Sequence, residues 1–259
     1  MKPTETQQEM HLGYRLYQAS LLLGQVLWRL WRGKLQRDQA TDQMLIVGPR
    51  SLRPVLLVAF FAGMIFTIQT ARELAFFGAE HLVGGAFAIA FCRELAPILT
   101  ASILSGQVGS AFAAELGAMK ISEQIDALYM LRSNPIDFLV LPRVVACCVM
   151  VPVLTVFALV VGVLGGMGAA YQFYGLAPGR FLLSVQNFLT PQDLVNVGIK
   201  GVIFGLWIGI VSCSWGLTTV GDTRQVGQST TSAVVTSWVG IFMLDFFLSL
   251  LLFHQSFLG

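Results

Sequence analysis

Residues 144–179, VVACCVMVPVLTVFALVVGVLGGMGAAYQFYGLAPG, contain no Asp, Glu, Lys or Arg. A helix of about 20 apolar residues crosses the hydrocarbon core of a bilayer, so this run alone is long enough to span one. Further charge-free stretches cover 95–114, 201–221 and 225–244. Over all 259 residues the composition is 55% hydrophobic and 12% charged, whereas a soluble domain carries about a quarter charged. That much apolar surface excludes a disordered chain, and a net charge of +2 gives no basic footprint for nucleic acid. The reading is an all-α integral membrane protein.

Five spans are expected, at about 54–71, 82–114, 143–171, 194–219 and 232–257, forming one membrane domain over 54–259. The preceding 1–53 segment reads differently. Its first residues, MKPTETQQEM, lack the apolar core of a secretory signal, so the mature chain is expected to begin here, in the cytosol. Met10, Tyr14, Tyr17, Leu21 and Trp28 lie near one helical stripe while Arg15, Gln18 and Gln25 interrupt any spanning run. An amphipathic helix over 10–32 lying in the interface is expected, with Trp28 and Trp31 beside Arg29 and Arg32 at headgroup level. A helix packed on the protein is the alternative, and 33–53 reads as a short basic connector.

With the N-terminus inside, 12 of the 16 Lys and Arg residues fall in cytoplasmic segments, Arg143 among them. Only Arg72, Arg180 and Lys200 fall in outside loops, and Arg93 lies within the membrane. Cys92, Cys147, Cys148 and Cys213 sit in apolar runs without a CxxC pair and are read as buried thiols. His11, His81 and His254 lie in separate regions, so no metal site is expected.

Arg93-Glu94 interrupts the second span, where an unpaired charge costs about 3 kcal/mol or more. Adjacent residues on a helix do not face each other, so each needs a partner elsewhere. Asp245, deep in the fifth span, is a candidate partner for Arg93. The group reads either as a polar element of a substrate cavity or as a clasp between helices. Small residues recur at every fourth position, at Ala101, Ser105, Gly109, Ala113 and Gly117 and again at Gly201, Gly205 and Gly209. Such ridges allow close helix packing, within one subunit or across a dimer.

Between the second and third spans, Ile121, Ile125, Leu128 and Leu131 form an apolar stripe with Glu123, Gln124, Asp126 and Arg132 interspersed, and Asn134-Pro135 ends it. A short amphipathic helix here can dock on a cytosolic partner or lie in the interface. GxSxG, HExxH and P-loop motifs are missing, so the chain reads as a non-catalytic subunit whose energy comes from a partner or an ion gradient.

RELAP at 93–97, GxxGSAxxAELGxM from Gly106 to Met119 and SEQIDAL at 122–128 closely resemble the signature region of the MlaE/YrbE permeases, membrane subunits of lipid-transporting ABC systems. The similarity in pattern runs from the basic N-terminal helix to Leu244-Asp245-Phe246 and includes the cyanobacterial and chloroplast-envelope members. It implies a homodimer in a bacterial inner membrane or chloroplast inner envelope, with a cytosolic ATPase that binds ATP and Mg, an MCE-domain protein on the opposite face, and a phospholipid or related cargo. No cofactor is implied for this chain itself. The helix at about 115–133 would be the coupling helix, with Glu115, Lys120, Glu123, Gln124, Asp126 and Arg132 toward the ATPase. Arg93, Glu94, Asp245 and Gln69 match polar family positions in the membrane and would line or border a lipid cavity at the dimer interface. Ala96, where glycine is common, and Arg72-Glu73 depart from some relatives. An ion-coupled secondary transporter using Arg93, Glu94 and Asp245 is the alternative to the ABC reading.

Overall fold

The computed structural model describes residues 5–33, 36–131 and 133–253. Among them there are helices and turns and no strand, as an all-α membrane protein requires, because a backbone in lipid must satisfy its hydrogen bonds within each helix. In chain order the helices are α1 Glu5–Trp31, α2 Arg37–Phe76, α3 Val83–Ala90, α4 Ala96–Leu104, α5 Ser110–Ile121, α6 Gln124–Met130, α7 Leu141–Tyr174, α8 Pro178–Phe188, α9 Pro191–Leu217 and α10 Thr223–Phe253. Three π-helical turns, Phe91–Leu95, Ser105–Gly109 and Ile136–Val140, join α3 to α4, α4 to α5 and lead into α7. Among the described residues five stretches are long and apolar enough to cross a membrane: Arg37–Phe76, Glu80–Ile121, Ile136–Tyr174, Pro191–Leu217 and Thr223–Leu252.

Most of the expected connector before the first span is helical. α2 continues through Pro49 and Pro54, although each proline removes one backbone bond and crowds the carbonyl four residues before it. Its 40 residues reach about 60 Å at 1.5 Å per residue, twice a bilayer core. α7 ends where Gly175 adopts φ 63° and donates its N–H to the Tyr171 carbonyl, a left-handed stop that glycine takes without steric cost. Pro178 then opens α8 and Pro191 opens α9, the first helical turn being where a missing N–H is harmless.

The contacts divide the chain into two compact units. The first comprises Met1–Val47, Leu104–Val149 and Gly205–Gly240. Ala19, Leu22 and Val26 of α1 enter its core beside Leu116, Val144 and Trp215, and Arg29 of α1 pairs with Asp137. One stripe of α1 is therefore packed on protein, while Trp31, 90% exposed, and Trp28 face outward, the latter under the Arg32 guanidinium at 3.6 Å. The small-residue ridge works within the chain. A methyl group built on Gly205 would collide with the Cys147 carbonyl, and one on Gly209 would lie 3.0 Å from the Val144 Cα. A methyl group on Gly109 would lie 2.8 Å from Ser212 Oγ and one on Gly117 3.2 Å from Val226, and Ala113 is fully buried.

The second unit comprises Gly48–Ile103, Met150–Phe204 and Ile241–Gly259. Phe87 is its centre, stacked on Phe91 with centroids 5.1 Å apart and tilted against Phe181 at 5.9 Å. Gly63 of α2 lies against the Gly162 backbone of α7, and Gly201 of α9 against Pro152. Gly168, in the same glycine-rich stretch of α7, has open space around it. On α7 and α10, Phe157, Val160, Phe242, Phe246 and Leu251 are exposed, an apolar surface suited to lipid rather than water.

Candidate functional site

The second span departs from α-helix at two π-helical turns, and the first of them carries Arg93 and Glu94. These residues lie in the π-helical turn Phe91–Leu95, and the Ala96 N–H reaches back to the Phe91 carbonyl. Four residues after Arg93 comes Pro97, which has no N–H for the Arg93 carbonyl that an α-helix would pair with it. The Lys200 ammonium, from α9, donates to that carbonyl at 2.8 Å. A proline and a widened turn thus free a backbone acceptor in the membrane, and a buried cation takes it.

Lys200 is wholly buried, and its surroundings explain how a charge can be tolerated there. Besides the Arg93 carbonyl, Nζ faces Glu94 Oε2 at 2.9 Å, Asp245 Oδ1 at 2.8 Å and Ser249 Oγ at 2.8 Å. The Ser249 hydroxyl also lies 2.9 Å from Glu94 Oε1. Asp245 and Ser249 are four residues apart on α10 and so share a helix face. Arg93 points elsewhere: its Nε donates to Asp193 Oδ1 at 2.8 Å. The other carboxylate oxygen of Asp193 accepts the Thr190 N–H at 2.9 Å and the Thr190 hydroxyl at 2.8 Å. Thr190 and Asp193 form the capping arrangement at the start of α9, where a carboxylate also meets the positive end of the helix dipole.

The group therefore holds three carboxylates and two cations from the second span, α9 and α10. Asp193 and Asp245 are buried, while the Glu94 side chain, 39% exposed, is the open side. Two expectations are corrected. Asp245 is held by Lys200, and Arg93 pairs with Asp193 instead of Asp245. Lys200, read as an outside-loop residue, lies inside the fourth span, because four acceptors converge on it. Gln69 is exposed on α2 and donates to Glu73 at 3.3 Å, so this bond points it toward its own helix. The sequence did carry signals for the missed members. Thr190-Pro-Gln-Asp193 before an apolar run is a capping-box pattern, and a lone lysine in a span asks for a partner.

The expected segment 115–133 is divided in the structure. Residues 115–121 complete α5, the chain turns at Ser122, and Glu123 adopts φ 59° ahead of the short α6. Lys120 reaches Asp126 at 3.1 Å, tying the end of α5 to α6. Gln124 opens α6, and Tyr129, Met130 and Leu131 are exposed, Met130 at 88%. Glu115 lies further back on α5, paired with Arg143 Nη2 at 3.0 Å. Arg143, read as a cytoplasmic-segment charge, is buried, because its Nη1 also donates to the Leu139 carbonyl at 2.8 Å. Arg132 lies outside the described residues.

Comparison with known proteins agrees with this architecture. Residues 40–251 match the family model described as Permease MlaE. A probable ABC transporter permease protein of Synechocystis is 50% identical over 242 residues, covering 93% of this chain and 92% of that protein. The chloroplastic protein TRIGALACTOSYLDIACYLGLYCEROL 1 of Arabidopsis thaliana is 43% identical over 91% of this chain and 67% of its own length. A probable ABC transporter permease protein of Rickettsia prowazekii is 35% identical over 82% of each. With five helices long and apolar enough to span a membrane, signature motifs running from the second span into α6 and a family match over most of its length, the chain belongs to the MlaE permease family.

Proposed function

We propose that this chain is the membrane subunit of an ABC system that moves glycerophospholipids or related polar lipids between membranes. It works as a homodimer with a cytosolic ATPase, which binds the ATP and Mg, and with an MCE-domain protein on the opposite face. The membrane is a bacterial inner membrane or a chloroplast inner envelope, with the N-terminus cytoplasmic. The lipid in the name of the Arabidopsis relative supports a lipid cargo. The observation that carries the proposal is α6, a helix of about two turns that leaves Met130 and Leu131 exposed. Exposed large apolar residues in a short polar connection fit a groove on a partner protein. In this reading Glu123, Gln124 and Asp126 contact the ATPase, whose closure moves α6 and changes lipid affinity between two states. Arg93, Glu94 and Asp245, with Lys200 at their centre, hold the cavity-side ends of the helices in one of those states, and Gln69 borders the cavity.

The converging carboxylates around Lys200 also favour a second reading, an ion-coupled transporter, since intramembrane acids serve as proton relays. One reconstitution separates the two. The permease is placed in vesicles with and without the ATPase and MCE partners, with or without a proton gradient, and lipid transfer is followed. The proposal expects transfer only with ATPase and ATP. It also expects Glu123→Lys to lower lipid-stimulated ATP hydrolysis about tenfold without unfolding the permease, because lysine tolerates the left-handed backbone no worse than glutamate. Unchanged stimulation in that variant overturns the coupling role. Transfer driven by the gradient alone replaces the ABC reading by the second.

A further inference from the structure

Counted along the chain, the connection between the first and second spans and the one between the third and fourth emerge on the same side of the membrane. In the second unit the two meet: residues from 78–84 and from 176–188 line one cavity of about 540 Å³, within the range of about 300–1,000 Å³ usual for small-molecule sites. Its wall is fixed by α8. The Gly85 N–H, in the first turn of α3 where a helix leaves donors unpaired, goes to Ser184 Oγ at 2.9 Å. A methyl group on Gly84 would strike the Phe181 carbonyl, so α8 sits directly on α3, with Phe181, Ser184 and Val185 buried. Phe76, Tyr171 and Phe173, in the last turns of the first and third spans, are strongly exposed, as aromatic side chains at the membrane–water boundary are. The cavity therefore opens where lipid headgroups lie.

It offers charges of both signs. Glu80 and His81 come from the first connection, and Arg180 and Asn187 from α8. All four are exposed, so a ligand meets them without any helix having to move. Among the described residues no ion pair holds Glu80, His81 or Arg180. A purely anionic ligand would meet the Glu80 carboxylate, and a purely cationic one the Arg180 guanidinium. A phosphate and an ammonium on one molecule suit both: the guanidinium fork takes the phosphate, and the carboxylate accepts from the ammonium. His81 and Asn187 supply further N–H donors. A methylated nitrogen has no proton to give Glu80, which favours a primary ammonium over choline. Leu183 and Phe188 line the same cavity and give the glycerol and first acyl carbons an apolar wall.

We propose that this cavity binds the phosphoethanolamine headgroup of a bilayer phospholipid, at a site that shares no residue with the cluster around Lys200. The proposal needs only the membrane placement of the fold and no transport, so its test uses no ATPase. The full chain in detergent is titrated with phosphatidylethanolamine, phosphatidylcholine and phosphatidylglycerol of one acyl composition, and bound lipid is counted by native mass spectrometry. One ethanolamine lipid per chain is expected to bind in preference to the other two. Arg180→Gln should weaken it about fivefold, as loss of one ion pair at an exposed site implies. Glu80→Gln should instead level the ethanolamine and glycerol headgroups, a change of preference that a loosened fold does not produce. Arg72→Gln, an exposed arginine of α2 that does not line the cavity, should bind as wild type, and all three variants should keep the wild-type thermal midpoint without added lipid. Affinity and preference unaltered in both cavity variants overturn the proposal. Weakening by Arg72→Gln as great as by Arg180→Gln overturns it as well, since that is general attraction to surface charge. So does saturation by free glycerophosphoethanolamine at the same concentration as the lipid, which would make the site one for a soluble ligand.

Discussion

Lys200 is the residue on which the intramembrane cluster depends most. Lys200→Met keeps the length of the side chain and removes its charge, leaving Glu94 and Asp245 facing each other without a counter-ion. Removing one partner from a buried ionic group costs about 3–5 kcal/mol, whereas replacing the whole group by neutral residues is often tolerated. Lys200→Met is therefore expected to lower the thermal midpoint of the purified permease sharply. The triple variant Lys200→Met, Glu94→Gln, Asp245→Asn should recover most of that loss, and a triple variant no more stable than Lys200→Met would contradict the account. At this scale the sequence showed which residues were anomalous but not how they pair. Arg93 and Glu94 stand out in an apolar run, yet Lys200 is 106 positions from Glu94. Periodicity within a helix carries no information on which distant helix it meets.

At the scale of the helix, the glycines are not equivalent, though all belong to similar apolar runs. Gly205 is pressed against the Cys147 carbonyl, while Gly168 has open space around it. Gly168→Ala should stabilise the protein by about 0.5–1 kcal/mol through helix propensity. Gly205→Ala should destabilise it by about 1–3 kcal/mol, the range for overpacking a close helix contact. Thermal midpoints of the two variants in one detergent check the sign of each. The spacing of small residues identified the ridge, since a four-residue repeat lines one face of a helix. The π-helical turns left no such mark. Each adds a residue to a turn without altering composition, and only the coincidence of Pro97 with the Arg93-Glu94 pair pointed to an irregularity.

For the molecule as a whole, the five spans were legible because a bilayer imposes a length and forbids charge over that length. The long α2 was less so, since its first turns carry Arg37, Arg50 and Arg53 and two prolines and look like a connector. In the proposed orientation, which follows the bias of basic residues, the start of α2 is cytoplasmic and its end outside. An impermeant maleimide applied to intact spheroplasts should label Phe76→Cys at once and Trp31→Cys only after permeabilisation. Both parent side chains are well exposed, and the native cysteines are buried apart from the partly buried Cys148. The reverse labelling pattern would invert the topology, and with it the side from which an ATPase can reach α6.

An ammonium has three protons, and Lys200 is offered four oxygen-bearing partners: the Arg93 carbonyl, Glu94, Asp245 and Ser249. One of them is always waiting its turn. A side chain so placed can let go of one neighbour while taking hold of another, ending with as many bonds as it began with. The knot tying the second span, α9 and α10 can then be retied instead of cut, which allows a strongly held junction to change shape cheaply.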